Sequence, residues 1–177
     1  YAKANPGKVS YGSAGIGASN HMSGELLALR TGTDLTHVPY KGNAPAMTDV
    51  IGGQITMMFD IIGTGRNYIQ SGKVRGVAVT SKDRNASLPD VPSMRESGIQ
   101  DYDVGGWYGL FGPNKLAPEF IAKINDATRK ALASEELKAK LIEQGYDLWV
   151  GSPQALGERT AKELALWATV SKGIPKQ

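Results

Sequence analysis

The stretch "KVSYGSAGIGASNHMSGELLALR", Lys8 to Arg30, decides the fold. Val9 to Tyr11 has the apolar character of a short strand, and Ser19 to Arg30 places Met22, Leu26 and Leu29 on one face of a helix. Between them Gly12, Gly15 and Gly17 let the chain turn tightly and expose successive backbone N–H groups where the helix begins. A helix N-terminus adds a partial positive charge of about half an elementary unit, so the loop is an anion site without a lysine. Ser13, Ser19 and Asn20 add short donors suited to a carboxylate that is later released. A plain turn with Ser19 as the helix cap accounts for the same residues equally well.

Single positions argue against two phosphate-binding fingerprints. From Gly12 to Ser19 the loop has the outer glycines and final hydroxyl of a P-loop, but Ala18 stands where the lysine is required. From Gly15 and Gly17 it starts like a dinucleotide fingerprint, but Asn20 occupies the position of the third small residue. Nucleotide binding is not expected.

The pattern repeats outward. "LTHVPY", Leu35 to Tyr40, is extended, "KGNAP" turns, Ala44 to Ile51 is helical, and Gly52-Gly53 ends it. "QITMMFD", Gln54 to Asp60, predicts a buried strand, a helix follows near Gly65 to Ser71, and Val74 to Ser81 predicts another strand. This alternation predicts a mainly parallel sheet flanked by helices, an α/β fold.

Lys82 to Gly98, with Pro89 and Pro92, is expected to be a surface loop, and "YDVGGWYGLFGP", Tyr102 to Pro113, an aromatic, glycine-broken strand crossing between lobes. Three helices then replace the alternation. One starts at Pro118 with Phe120, Ile121, Ile124, Ala127 and Ala131 on a stripe; one is capped by Ser134; one opens at Ser152-Pro153 and offers Leu156, Leu164 and Trp167 to a neighbour.

Composition narrows the function classes. The 177 residues are 41% hydrophobic and 21% charged, without the ~18-residue apolar run a membrane helix needs. A net charge of +3 without a basic block gives no case for nucleic acid. The absence of cysteine removes disulfides, thiolate metal sites and a cysteine nucleophile. No Gly-x-Ser-x-Gly elbow occurs, and His21 and His37 lack metal-helix spacing, so catalysis is poorly supported and neither metal nor cofactor is expected.

Parallel strands bring their C-terminal turns to one sheet edge, where ligands bind in the crevice outside. Tyr40, Lys41 and Gly42 form the second such turn and Asp60 ends the third strand on that edge. Asp60 could accept from a ligand, but an acid at a strand end slightly favours pinning the following turn, and Lys41 could add charge, but a lysine in a turn is more often solvated. His21, in the first helical turn, favours packing or a backbone bond over a ligand contact.

Taken together, "YAKANPGKVSYGSAGIGASNH", "LTHVPYKGNAPAMTDVIGGQITMMFD", "GKVRGVAVTSKDR", "LPDVPSMRESG" and "WYGLFGP" resemble the solute-binding proteins of tripartite tricarboxylate transporters, the Bug family, over essentially the whole chain. The resemblance implies a periplasmic-binding-protein type II lobe, two lobes closing on a hinge, and delivery of small carboxylates to membrane permease subunits without chemistry. It implies a bacterial, exported, periplasmic protein whose signal peptide is not in this chain. Backbone amides and ordered water of strand-to-helix loops would hold the ligand, which nominates Ser13, Ala14, Gly15, Gly17, Ala18, Ser19, Asn20 and His21, with Tyr40, Lys41, Gly42 and Asp60 beside them.

The resemblance further implies that residues 1–104 are the second ligand-binding lobe, and residues 105–177 a crossover strand and C-terminal helices of the first. Against a family length of about 300 residues, roughly the first 120 would then be absent. The C-terminal helices would either swap into another copy, giving a homodimer, or fold onto their own lobe. The alternatives are a small-metabolite enzyme using the same crevice, and a ligand-sensing module for a signalling partner.

Overall fold

β1 (Val9–Ser13) lies at the centre of a three-stranded parallel sheet, between β2 (Leu35–Pro39) and β3 (Met57–Met58), in the order β2-β1-β3. The computed structural model describes residues 1–173. Val9 pairs with Leu35 and Ser13 with Pro39 across one edge of β1; Tyr11 pairs with Met57 across the other. Each strand runs into a helix, α1 (Ser19–Thr31), α2 (Asn43–Ile51) and α3 (Ile62–Gln70), so the predicted α/β alternation is the fold.

Strand alternation and two glycines set the layers. Tyr11, fully buried, lies against Gly24 of α1, where a Cβ would stand 2.7 Å from the ring's Cδ2 and closer still to Cε2 and Cζ. Gly12, on the opposite face of the strand, lies under α2, where a Cβ would stand 2.6 Å from Ile55 Cδ1 and 3.1 Å from the Ala46 Cβ. α1 thus approaches the sheet at a distance that only glycine permits, and α2 packs closely over Gly12 through Ala46.

Several elements differ from their sequence expectation. β3 is shorter than Gln54 to Asp60 because side chains replace the ladder before it: the Ser10 N–H donates to Thr56 Oγ1 (3.2 Å) and the Thr56 N–H to Ser10 Oγ (3.0 Å). Val74 to Ser81 joins no sheet and keeps a single parallel bridge, Val79 to Ser93, with the Val79 N–H donating to the Pro92 carbonyl (2.8 Å). Gly76 there packs tightly on Val91 and Ile69. Tyr102 to Pro113 is likewise not a strand; its start is held by the Tyr102 hydroxyl donating to the Ser23 carbonyl (2.7 Å) and the Val104 N–H to the Thr80 carbonyl (3.1 Å).

The C-terminal part is helical: α4 (Pro118–Leu132), α5 (Glu135–Glu143) and α6 (Pro153–Val170). Pro153 stands at the first helical position, and Ser152 Oγ accepts from the Ala155 N–H (3.1 Å), the predicted cap. The end of α6 folds onto its own chain. Val170 shares a core with Leu26, Met94, Tyr102 and Val104, against which Leu166 and Trp167 pack, while Leu164 is left exposed. At the other end, Gly63 of α3 meets the backbone carbonyl of Gln144, and Ser87 Oγ donates to the Ile142 carbonyl (3.2 Å). The stripe of α4 remains outside, with Phe120, Ile121 and Ile124 exposed.

Candidate functional site

The loop after β1 begins with a buried serine. Ser13 Oγ accepts from the Gly15 N–H (3.1 Å) and lies 2.6 Å from His37 Nε2 of β2. Gly15 and Gly17 carry φ of +133° and +79°, conformations open to glycine, which is why two glycines are needed within three residues. A Cβ on Gly15 would also stand 3.7 Å from the Tyr40 carbonyl, so the first and second turns touch.

The bare backbone of this loop is less free than its glycines suggest. The Ala14 N–H donates to Asn20 Oδ1 (3.1 Å), the Gly17 N–H to His21 Nδ1 (3.0 Å) and the Ala18 N–H to the Gly15 carbonyl (3.2 Å). Among the described residues, the N–H groups of Ile16, Ser19 and Asn20 have no protein acceptor. Two of these are the first N–H groups of α1, so the helix presents its positive end outward.

Ser19 is not the helix cap. Ala18 precedes the helix in extended conformation without a side-chain bond, and Ser19 is the first helical residue, exposed. Asn20 organises the turn instead: buried, it accepts from Ala14 and from the His21 N–H (3.1 Å), and its amide donates to Asn43 Oδ1 (2.9 Å). Asn43 opens α2 and donates in turn to Asp60 Oδ1 (3.0 Å), whose other oxygen accepts from Thr64 Oγ1 (2.8 Å). One polar chain thus joins the turns after all three strands.

This relay brings two helix N-termini within one side-chain hydrogen bond of each other. Neither α1 nor α2 has an acidic residue in its own first turn; Asp60, just before α3, reaches the start of α2 through Asn43, and no carboxylate is bonded at the start of α1 among the described residues. Two such ends facing one edge favour an anion more than either alone. Lys41 is exposed at this edge, and the Gly42 φ of +118° turns the chain into α2. Tyr40 does not face outward with its hydroxyl, which donates to Asp49 Oδ2 (2.7 Å) and is thereby pushed above its ordinary pKa.

His21 lies beneath the loop rather than in it. The residue is 2% exposed, and its ring stacks on His37 with centroids 4.0 Å apart. Tyr11 also stacks on His37, at 5.0 Å, and donates its hydroxyl to Glu25 Oε1. Burial holds both imidazoles below the ordinary 6.5; for His37 the neighbouring His21 adds to this, and Glu25 opposes it for both. Protons therefore bind the unfolded chain more readily. Stability is fully present above about pH 6.5 and is expected to fall as the pH drops towards the lower folded values, with a smaller urea midpoint at about pH 5.5 than at about 7.5. Equal midpoints would contradict an imidazole pair held neutral by the fold.

Beside the loop runs an open groove of 580 Å³ between Gly17, Ser19 and Met22 on one wall and Gly105, Gly106 and Trp107 on another, closed by Glu163 and Trp167 of α6. Trp107 carries the Arg159 guanidinium over its ring at 5.3 Å, and Glu163 accepts from both Arg159 and Trp167. Sequence reasoning singled out neither Asn43 nor Glu163. Asn43 had a signal, an asparagine opening the helix after "YKG" just as Asn20 lies at the start of the preceding one; Glu163 had none.

A family model described as the tripartite tricarboxylate transporter family receptor matches residues 1–174. A curated relative from Pseudomonas sp. strain P51, a UPF0065 protein of the tcbD-tcbE intergenic region, is 36% identical over 167 residues, which cover 94% of this chain and 50% of the relative. Two solved structures superpose closely. R. palustris Rpa4515 with adipate has a TM-score of 0.84 at 31% identity, covering 97% of this chain and 57% of that one. The periplasmic binding protein BugD has a TM-score of 0.83 at 35% identity, covering 100% of this chain and 60% of that one. The chain spans about half the length of the relative and under two thirds of either solved chain.

Proposed function

We propose, because the chain belongs to the tripartite tricarboxylate transporter receptor family, that it captures small carboxylates in the periplasm for membrane permease subunits. It performs no chemistry on them. Residues 1–104 act as one ligand-binding lobe, and residues 105–177 supply the crossover segment and helices of the other; closing the lobes on the ligand is the signal the permease reads.

The observation that carries this reading is the pair of helix N-termini joined through Asn20 and Asn43, neither with an acidic residue in its own first turn. The free N–H groups of Ile16, Ser19 and Asn20 donate to one carboxylate, on a loop shaped by Ser13, Ala14, Gly15, Gly17 and Ala18. His21 supports that loop from below. Tyr40, Lys41 and Gly42 form the neighbouring turn, and Asp60 holds the relay. A bound relative carries adipate, a linear dicarboxylate, so dicarboxylates head the test.

Calorimetric titration of adipate, succinate, citrate, glutamate and benzoate, each beside its neutral amide, tests the reading. At least one carboxylate is expected to bind while its amide does not. Equal binding of acid and amide, or no binding by folded protein, would overturn it.

A further inference from the structure

The Gly17 N–H donates to His21 Nδ1 at 3.0 Å, and this one bond fixes the protonation state of the ring. A nitrogen that accepts carries no proton, so His21 is the neutral tautomer with its proton on Nε2, which lies 3.6 Å from Glu25 Oε1. A second proton has only Nδ1 to go to. There it would face the Gly17 N–H, turning an attractive contact into two opposed donors.

The surroundings leave the ring no other accommodation. His21 is buried, α1 fixes its backbone, and the His37 ring covers one face. The titratable groups around it are Glu25 on its own helix, Tyr11 of β1 and His37 of β2. Tyr11 already donates to Glu25, so that carboxylate is shared. His37 bonds Ser13 Oγ, which in turn accepts from the Gly15 N–H, so the second imidazole braces the same loop two residues earlier.

We infer that His21 is a pH-sensitive positioning residue: neutral, it holds Gly17 and with it the anion-binding loop, and its protonation releases Gly17 and weakens carboxylate capture. The inference rests on the carboxylate reading of this loop. Its sign separates it from simple electrostatics, since a positive charge placed under an anion site without moving the loop would strengthen binding. His21→Gln offers an amide oxygen to the Gly17 N–H and does not titrate, so it removes the switch while keeping an acceptor.

Two measurements on the full chain decide it. The Gly17 amide, followed by ¹⁵N NMR without ligand, is expected to shift with the His21 ring titration in the wild type and to stay fixed in His21→Gln. Dicarboxylate affinity is expected to fall between about pH 7.5 and 5.5 about two- to tenfold further in the wild type than in His21→Gln, the variant serving as control for ligand protonation. A Gly17 amide indifferent to His21, or affinity that rises or runs parallel in both proteins, would overturn the inference. Should no carboxylate bind at any pH, the carboxylate reading falls by itself, and the Gly17 amide still decides whether His21 controls the loop.

Discussion

Gly24→Ala is expected to destabilise the protein by about 2 kcal/mol or more, although alanine is the better helix former. In an exposed helix interior the substitution would gain about 1 kcal/mol. Here the new methyl falls inside the Tyr11 ring, 2.7 Å from Cδ2 and nearer to Cε2 and Cζ, where overpacking costs about 1–3 kcal/mol and occasionally more. The ring has no easy escape. It is fully buried, stacked against His37, and its hydroxyl is committed to Glu25 Oε1 at 2.5 Å. Urea unfolding of Gly24→Ala, Tyr11→Leu and the double variant checks this. The double variant should be more stable than the sum of the single losses by at least about 1 kcal/mol, because leucine leaves room for the methyl. Strict additivity would mean that the helix and strand do not meet at these two residues.

That contact also explains what was legible in the sequence and what was not. The order of strand, glycine turn and helix was readable for three units because local propensity and tertiary packing agree there, and α2 and α3 start within three residues of their expected places. The buried face of α1 was not. Hydrophobic spacing selects Met22, Leu26 and Leu29; Leu26 is buried in the core with Tyr102 and Val170, but Leu29 is exposed, and the other buried residues of the helix are Asn20, His21, Ser23 and Gly24, which meets Tyr11 of the sheet. A helix that approaches a strand through glycine buries small and polar side chains, provided each finds a hydrogen bond, and such a face has no apolar period to detect. The expected strands at Val74 to Ser81 and Tyr102 to Pro113 failed for a related reason. Their residues suit extended backbone, and they are held at isolated points by Pro92, Thr80 and Ser23 instead of by a ladder.

The candidate site was legible as a place and not as a mechanism. Glycines between a strand and a helix mark the edge where backbone donors collect, yet the side chains that spend those donors cannot be assigned from spacing. Asn20 is the instructive case. As a short polar residue near a helix start it suggests a ligand contact, whereas its side chain is occupied on both sides, accepting from Ala14 and His21 and donating to Asn43. Its own backbone N–H is what remains to be offered.

Ser19→Glu turns this accounting into a sharp test, because stability and affinity are expected to move in opposite directions. Ser19 is the first residue of α1, exposed, and its side chain makes no cap bond, so replacing it removes no internal support. A glutamate there places a resident carboxylate over the free N–H groups of the first turn. It compensates a helix end that has no acidic residue of its own, which is worth about 0.3–1 kcal/mol of stability. The same carboxylate competes with the ligand and repels it, and a dicarboxylate is expected to bind at least about 100-fold more weakly, equivalent to roughly 2.7 kcal/mol. Ser19→Gln, similar in size but neutral, separates charge from bulk and should retain most of the affinity. A small rise in urea midpoint with a large loss of binding in Ser19→Glu alone identifies the α1 N-terminus as the carboxylate subsite. Unchanged affinity in Ser19→Glu would move the ligand away from this helix altogether, since no anion could share those N–H groups with a tethered one and not register it.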